Sequence, residues 1–287
     1  MTRTLLLTGA TGTVSTALID ALGDTFHLRA LTLDEDGAAG LRERGIETVT
    51  GDLGDPRTLP AAFEGVHDVW LLTPNGPRAA EQSMNAVWAA RRAGVERVVR
   101  LSAVRASHDA PTRSERLHAM ADEQLGASGL RWTIIRPLWF MQNLFNEAGD
   151  IAAGTVRLNM GDGRVGMVDA RDIAEVAAKV LVSEPSEHHE KVYTLTGPEA
   201  LSFHEAAERL GEALGRPVRY EPVADEVVEE RMLGYGVPAW ITDMVNEYAQ
   251  AFVDGHGDFV TGDVEKVTGR APRGLGEFVR DHSHVFG

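Results

Sequence analysis

The chain has 287 residues, of which 43% are hydrophobic and 25% charged, proportions typical of a globular protein that exclude a mostly disordered one. Its 28 basic and 43 acidic residues give a net charge of −15, and this negative field disfavours nucleic acids and anionic membrane surfaces as partners. The absence of cysteine excludes disulfides, thiolate metal sites and cysteine nucleophiles.

The first half of the sequence alternates short apolar runs with segments of helical periodicity. The apolar runs are too short for helices and are followed by turn residues, which predicts buried strands. Strands are predicted at 4–8, 27–33, 47–50, 68–72, 97–101 and 132–135. Helices are predicted at 14–22, 41–44, 55–63, 79–94 and 116–128. This alternation predicts an α/β fold with a Rossmann-type doubly wound parallel sheet.

The periodicity changes after Pro137. Residues 138–166 are rich in aromatic residues, Asn and Gly and show no clear period. Further helices are predicted at 169–182 and 203–214, strands at 192–195 and 217–220, and two more helical stretches after 223. We therefore expect a core of residues 1–137, to which 167–197 returns, and a small C-terminal α+β substrate lobe made of 138–166 and 198–287.

The first functional signal is a glycine loop, TGATGTVS, at residues 8–15 between the first strand and the first helix. Without β-carbons, the backbone can turn sharply and bring its N–H groups close to a pyrophosphate at the helix N-terminus. Strand, loop and helix together predict dinucleotide binding. A glycine turn that binds nothing is the alternative.

The end of the second strand carries Leu33 followed by three acidic residues at 34–36. A carboxylate here accepts hydrogen bonds from the adenosine ribose, whereas an arginine would favour a 2′-phosphate. We therefore predict that Asp34 binds NAD(P)H, with a preference for NAD. A solvated acidic loop is the alternative, and Arg29 and Arg42 leave NADP(H) open.

The segment Gly51-Asp52-Leu53 follows the third strand. Asp52 can bind the adenine amino group while Leu53 covers the ring. The alternative is a turn formed by Gly and Asp.

With these features the sequence resembles the NmrA-like family of atypical short-chain dehydrogenases/reductases. The resemblance is carried by TGATG at 8–12, GDL at 51–53, LLTP at 71–74, LSA at 101–103, SGLRWTIIRP at 128–137, FMQN at 140–143, VDARDIA at 168–174 and YTLTGP at 193–198. It implies a Rossmann core with a small C-terminal lobe. It also implies an NAD(P)H-dependent reductase of quinones, azo compounds or other conjugated molecules, or a sensor that binds the dinucleotide without turnover.

The resemblance also implies which residues form the site. The pyrophosphate would be held by Gly9, Thr11, Gly12, Thr13 and Val14, the adenine by Asp52 and Leu53, and the ribose on the nicotinamide side by Thr73 and Pro74. Ser102 would lie beside the nicotinamide. Many relatives have an arginine at the position of Leu33, and its absence argues against a preference for NADP.

The catalytic Tyr-x-x-x-Lys pair of short-chain dehydrogenases is absent. None of the four tyrosines has a lysine four residues later, and no lysine precedes Lys179. The helix after strand five instead carries His118, with Asp122 one turn further on. Such a pair can orient the imidazole to donate a proton, or the histidine can bind the nicotinamide ribose; a surface ion pair is the alternative.

The aromatic stretch after strand six provides candidates for the substrate. Trp139 and Phe140 could wall a planar, apolar molecule, with Asn143 as a polar anchor, and packing between core and lobe is the alternative for the aromatic pair. Other chemistries lack their motifs. The sequence contains no histidine pattern for a metal site, no serine-hydrolase elbow and no P-loop, so no metal is expected.

We therefore expect an NAD(P)H-dependent oxidoreductase that transfers a hydride to a small conjugated or carbonyl-bearing, quinone-like acceptor in a cleft between core and lobe. Ser102 and His118 would be proton or hydrogen-bond partners. The alternatives are a dinucleotide-binding redox sensor, or an isomerase or dehydratase on the same scaffold. With no signal peptide and no long apolar run, we expect a cytoplasmic protein with a small-molecule substrate and no nucleic-acid or membrane partner. A homo-oligomer is left open.

Overall fold

A seven-stranded sheet in the order β3-β2-β1-β4-β5-β6-β9 organises the computed structural model, which describes residues 2–287. Its strands are β1 (Thr4–Leu7), β2 (His27–Thr32), β3 (Glu47–Thr50), β4 (Asp68–Leu71), β5 (Arg97–Leu101), β6 (Arg131–Pro137) and β9 (Lys191–Leu195). β1 pairs in parallel with both β2 and β4, so the strand order reverses at β1. In sheets of this kind ligands bind beyond the carboxyl ends of the strands at that reversal.

Helices connect these strands. They are α1 (Thr13–Leu22), α2 (Glu35–Glu43), α3 (Pro60–Phe63), α4 (Ala79–Ala93), α5 (Arg113–Gly126) and α7 (Ala170–Val182). The first three residues after Thr4 in β1 are buried, as are all four residues of β4, as expected for strands covered on both faces. The predicted Rossmann-type fold is confirmed.

Two predicted helices differ most from the structure, while the others are displaced by at most three residues at either end. The helix predicted at 41–44 begins earlier, at Glu35, because the Asp34 carboxylate accepts a hydrogen bond from the Gly37 N–H at 2.9 Å. Glycine lowers helix propensity, so the composition hides this first turn. The helix predicted at 55–63 is divided into a 3-10 turn at Pro56–Thr58 and α3, which each begin at a proline.

The chain divides into two compact units. The first contains Met1–Ala110, Ser114–Arg136 and Ile173–Tyr193, and the second contains Pro111–Arg113, Pro137–Asp172 and Thr194–Gly287. The segment that returns to the first unit is therefore 173–193, shorter than the 167–197 expected from sequence. The glycine loop and the residues expected at the catalytic centre all lie in the first unit.

The second unit contains two small sheets and most of the remaining helices. β8 (Arg164–Val165) pairs with β10 (Leu201–Ser202), and β7 (Thr155–Val156) pairs with β11 (Arg219–Tyr220). The helices are α6 (Ala148–Ala152), α8 (Phe203–Leu214), α9 (Asp225–Gly234), α10 (Ala239–Val253), α11 (Asp263–Thr268) and α12 (Leu275–Asp281). The two helical stretches expected after 223 are thus four α-helices and a 3-10 turn at Ser283–Val285 in the described chain. No helix within residues 2–287 has the length and apolar character needed to cross a bilayer.

Candidate functional site

The glycine loop is held against the end of β4 by Thr8. Its Oγ1 donates to the Leu72 carbonyl at 2.7 Å and accepts from the Leu72 N–H at 2.8 Å. Gly9 follows with a φ of +61°, and a β-carbon there would lie 2.6 Å from Leu72 Cδ2. Both the left-handed backbone and the close approach of Leu72 therefore require glycine at this position.

Gly12 is the N-cap of α1 and supplies no capping side chain. A β-carbon on Gly12 would lie 3.2 Å from the Gly9 carbonyl oxygen, so a larger residue would press on the loop. Because no side chain caps the helix, the first N–H groups of α1 are left for an external acceptor. A helix N-terminus of this kind attracts an anion such as a pyrophosphate.

Ser15 occupies the place where a third glycine is common in such loops. It is fully buried, and its Oγ accepts a hydrogen bond from the Trp70 indole N–H at 3.0 Å. The small side chain allows α1 to approach β4 closely, and its hydroxyl pairs the only polar atom of the buried Trp70 side chain. Serine therefore meets the packing requirement that glycine usually meets here.

A cavity of about 310 Å³ opens beside the loop, at the low end of the roughly 300–1,000 Å³ usual for ligand clefts. It is lined by Thr8, Gly9, Ala10, Thr11, Leu31, Thr32, Leu33, Asp34, Gly37, Gly51, Asp52, Leu53, Leu72, Pro74 and Gln82. The carboxyl ends of β1, β2, β3 and β4 thus converge on one cavity. Six of the residues expected to bind the cofactor line it: Gly9, Thr11, Asp34, Asp52, Leu53 and Pro74.

The other expected cofactor residues lie next to this lining. Gly12, Thr13 and Val14 form the start of α1, and Thr73 lies between Leu72 and Pro74. Sequence reasoning missed Thr32 and Gln82, which the fold brings to the cavity from β2 and α4. The position of Thr32 at the end of a predicted strand was the available signal, whereas no pattern marked Gln82.

Two buried hydroxyls, that of Thr32 in the cavity lining and that of Thr73 between the lining residues Leu72 and Pro74, lack a partner among the described residues. Thr32 Oγ1 and Thr73 Oγ1 are inaccessible and make no hydrogen bond with any residue between 2 and 287. Unpaired buried hydroxyls are costly, so such atoms are a reason to expect a polar ligand. Together with the uncapped helix and the two glycines, they fit a dinucleotide, whose ribose and phosphate groups supply partners.

At the acidic end of β2, the two arginines considered for a 2′-phosphate, Arg29 and Arg42, bind other groups. Asp34 caps α2, and Leu33, where a relative's arginine would stand, is 70% exposed. Arg29 donates to the carbonyls of Ala62 at 3.2 Å and Glu64 at 2.6 Å, which directs it away from this end. Arg42 Nε donates to Thr48 Oγ1 at 2.7 Å.

The turn after β3 fixes Asp52 through its own backbone. Asp52 Oδ1 accepts from the Gly54 N–H at 2.7 Å, and the Asp52 N–H donates to Thr58 Oγ1 at 2.8 Å. The Leu53 side chain is buried and its carbonyl accepts from Asn85 Nδ2 at 2.8 Å. The turn expected as the structural alternative is therefore present, and it also forms part of the cavity wall.

A second polar cluster lies at the ends of β5 and β6, against α5. Asp122 accepts hydrogen bonds from the Arg100 guanidinium, from Ser102 Oγ at 2.8 Å and from Arg136 Nη2 at 2.8 Å. Asp122 and Ser102 are buried, and Arg100 is 1% exposed. Because the Ser102 hydroxyl donates to this carboxylate, it presents an acceptor to a ligand, which favours a hydrogen-bonding role over proton donation.

His118 lies on α5 but its ring contacts Arg100. Arg100 Nη2 donates to His118 Nδ1 at 3.0 Å. Burial, with the Arg100 and Arg136 charges nearby, holds the pKa of His118 well below its ordinary value. The expectation that Asp122 orients the ring is therefore wrong: its oxygens bind Arg100, Ser102 and Arg136, and Arg100 orients the histidine.

The residues expected at the substrate lie in the second unit. Trp139 packs edge-to-face on Phe203, with ring centroids 5.5 Å apart. Phe140 forms an isolated bridge with Val168, and Asn143 is exposed in a 3-10 helix at Met141–Glu147. For Trp139 this contact is packing within the second unit. The described residues contain no group of three His, Asp or Glu side chains arranged for a metal ion.

Comparison with known proteins matches residues 9–184 to a family model described as NAD(P)H-binding. The NAD(P)H azoreductase of Xenophilus azovorans is 38% identical over 289 residues, covering 99% of each chain. The NADPH complex of quinone oxidoreductase QOR2 from Escherichia coli superposes with a TM-score of 0.86, 26% identity and coverage of 99% of this chain and 100% of that one. NmrA, a negative transcriptional regulator solved with NAD, has a TM-score of 0.76, 17% identity and coverage of 98% and 95%, and shares the fold alone.

Proposed function

This chain belongs to the NAD(P)H-binding family, and we propose that it is an oxidoreductase that reduces a small conjugated acceptor such as a quinone or an azo compound. The family expected from the motifs is confirmed by the family model and by the shared fold. The observation that carries the proposal is the cavity at the reversal of strand order, with its glycine loop, uncapped helix and two unpaired hydroxyls.

In this proposal the residues at the carboxyl ends of the central strands would hold the dinucleotide. The loop N–H groups and the start of α1 would bind the pyrophosphate, and Asp52 and Leu53 would bind the adenine. Thr73 offers its unpaired hydroxyl to the ribose on the nicotinamide side. Thr32 and Gln82 are added to the set expected from sequence, because both line the same cavity.

When bound, the cofactor would supply a hydride, and with one proton from solvent a quinone would be reduced to a hydroquinone while NAD(P)H is oxidised to NAD(P)⁺. The chain's contribution is binding and orientation. Ser102 accepts a hydrogen bond beside the nicotinamide, since its own proton is directed to Asp122. His118 donates a hydrogen bond at the acceptor, and no Tyr-Lys pair is required.

We infer that NADH is preferred to NADPH. Leu33 and the capping Asp34 offer no positive charge to a 2′-phosphate, and Arg29 and Arg42 bind other groups. A carboxylate at this position suits a ribose hydroxyl and repels a phosphate.

The experiment that tests this function has two stages. NADH and NADPH are first titrated into the protein by fluorescence, and their oxidation is then followed with uncharged quinones and azo compounds as acceptors. We expect binding of both cofactors, tighter for NADH, and acceptor-dependent oxidation. Binding without oxidation of any acceptor would instead favour a sensor, and tightly held dinucleotide that undergoes no net redox change during turnover would favour an isomerase or dehydratase.

A further inference from the structure

The polar cluster at the end of β5 fixes the protonation of one of its members. A guanidinium has only donors, so the nitrogen that faces Arg100 Nη2 at 3.0 Å must carry a lone pair. That nitrogen is His118 Nδ1. The imidazole is therefore neutral and its single proton is on Nε2.

We propose that Arg100 is a positioning residue that holds His118 as the neutral Nε2–H tautomer, so that His118 acts as a hydrogen-bond donor to the acceptor's oxygen or nitrogen and not as an imidazolium acid. The role at the acceptor rests on the proposed function. The tautomer itself rests only on the first unit of the chain and is testable without turnover.

Arg100 is itself fixed on three sides. Its Nε donates to Ser83 Oγ on α4 at 3.2 Å, its Nη1 binds Asp122 on α5, and its Nη2 reaches His118. The planar fork of a guanidinium suits several partners held at set angles, which a lysine cannot reproduce. The geometry of Arg100 therefore determines the orientation of the imidazole.

The charges that face the ring also oppose a second proton on it. Arg100 on β5 and Arg136 on β6 are cationic, and both pair with Asp122 on α5. Glu115, one turn before His118 on α5, is also buried. Both guanidiniums disfavour an imidazolium at His118, because like charges repel strongly where burial reduces solvation.

Nε2 is available to a ligand. It makes no hydrogen bond with the described residues and is not among the buried side-chain atoms that lack a partner, so it is not sealed from solvent. A neutral imidazole N–H can stabilise negative charge that develops on a carbonyl oxygen, because the hydrogen bond strengthens as the charge grows. The proton that completes the reduction then comes from solvent.

The first test is NMR on the unmodified protein. Long-range ¹H–¹⁵N correlations report which ring nitrogen carries the proton, and His118→Gln identifies the His118 signals among those of ten histidines. We expect the Nε2–H pattern without titration between about pH 6 and 8, where an ordinary histidine titrates. His108→Gln removes an exposed imidazole of the same unit and should leave the His118 signals unchanged. Titration of His118 in that range, or a proton on Nδ1, would overturn the proposal.

The second test separates orientation from folding. Arg100→Lys keeps the charge but not the fork, and we expect both tautomers of His118 in its spectrum, with kcat reduced about 10-fold or more and an unchanged KM for NADH. His118→Gln places an amide N–H near the Nε2 position, whereas His118→Asn places it near Nδ1. His118→Gln should therefore retain more of kcat than His118→Asn. An equal loss of kcat in both variants would contradict a hydrogen-bond donor at Nε2.

The outcomes distinguish the two proposals. A fixed Nε2–H tautomer with no acceptor reduced would leave the role of Arg100 standing and refute the oxidoreductase function. Acceptor reduction with a freely titrating His118 would support the function and refute the role of Arg100. The spectrum of the unmodified chain decides the tautomer even if Arg100→Lys does not fold.

Discussion

A single substitution can test the glycine loop, because a β-carbon on Gly12 would lie 3.2 Å from the Gly9 carbonyl oxygen. Gly12→Val places side-chain atoms against the Gly9 carbonyl and into the space above the start of α1. We expect at least a 100-fold loss of NADH affinity, since each 1.4 kcal/mol is tenfold and several charge-assisted hydrogen bonds of roughly 1.5–3 kcal/mol would be displaced. Fluorescence titration measures the loss, and circular dichroism checks that the chain remains folded.

Gly274 provides the matched control for that substitution. It is the N-cap of α12 with φ −85° and ψ 160°, close to the φ −74° and ψ 159° of Gly12. A β-carbon on Gly274 would meet only Pro198 Cγ, at 3.8 Å. Gly274→Val should therefore keep NADH affinity. An equal loss of NADH affinity in Gly12→Val and Gly274→Val, or no loss in Gly12→Val, would remove the basis for placing the pyrophosphate at this loop.

The proposed preference for NADH can be tested at one exposed side chain, Leu33. Leu33→Arg would place a guanidinium at the end of β2, whereas Arg29 and Arg42 bind other groups. A charge-assisted hydrogen bond of about 1.5–3 kcal/mol would improve the Kd for NADPH roughly 10- to 100-fold and leave NADH little changed. Leu233→Arg, at a leucine that is 44% exposed in α9, adds the same charge elsewhere. If the ratio of the Kd for NADH to the Kd for NADPH is the same in both variants as in the parent protein, Leu33 does not determine the cofactor preference.

At the scale of elements, α5 is joined to β5 and β6 through one carboxylate. Asp122→Asn keeps the shape of the side chain but removes the negative charge that pairs with Arg100 and Arg136. Breaking a buried ion pair on one side costs about 3–5 kcal/mol, and we expect a loss of that size in the free energy of unfolding measured with urea. Asp243→Asn alters an exposed pair with Arg113 and should change stability little. Equal effects would mean that the cluster is not structurally important.

The sequence predicted the elements whose burial is uniform and missed those set by tertiary contacts. The core strands appear as apolar runs because both faces of the sheet are covered. α2 was predicted too short because its first turn contains Gly37, and only the capping bond from Asp34 reveals where it begins. The strands β7, β8, β10 and β11 have two residues each, which is too short for any periodic pattern.

The candidate site divides in the same way. Six of the residues that line the cavity could be predicted because glycines and strand ends occupy fixed positions in this fold. The partner of His118 could not, because helical spacing indicates Asp122 as its neighbour, whereas Arg100 comes from a strand 18 positions earlier. Thr32 and Gln82 were missed for a similar reason, since only the folded chain brings β2 and α4 to one cavity.

At the scale of the whole molecule, the net charge of −15 opposes the approach of its own cofactor. NADH is anionic, and Asp34 and Asp52 line the cavity that it must enter. Raising the ionic strength from about 0.01 to 0.15 M shortens the Debye length from about 30 to 8 Å, so long-range repulsion is screened while short contacts persist. We expect the association rate of NADH, measured by stopped-flow fluorescence, to rise with salt.

The same field makes a distinction between acceptors. An anionic, sulfonated azo dye should gain in kcat/KM over that range of salt, whereas an uncharged quinone at saturating NADH should not, because only the dye is repelled. The quinone is thus the internal control for effects of salt on folding or on the chemical step. If kcat/KM changes equally for both acceptors, the salt acts on the protein itself. If kcat/KM for the dye instead falls as salt is added, a local positive surface, such as one formed by arginines near the site, guides the dye more strongly than the net negative charge repels it.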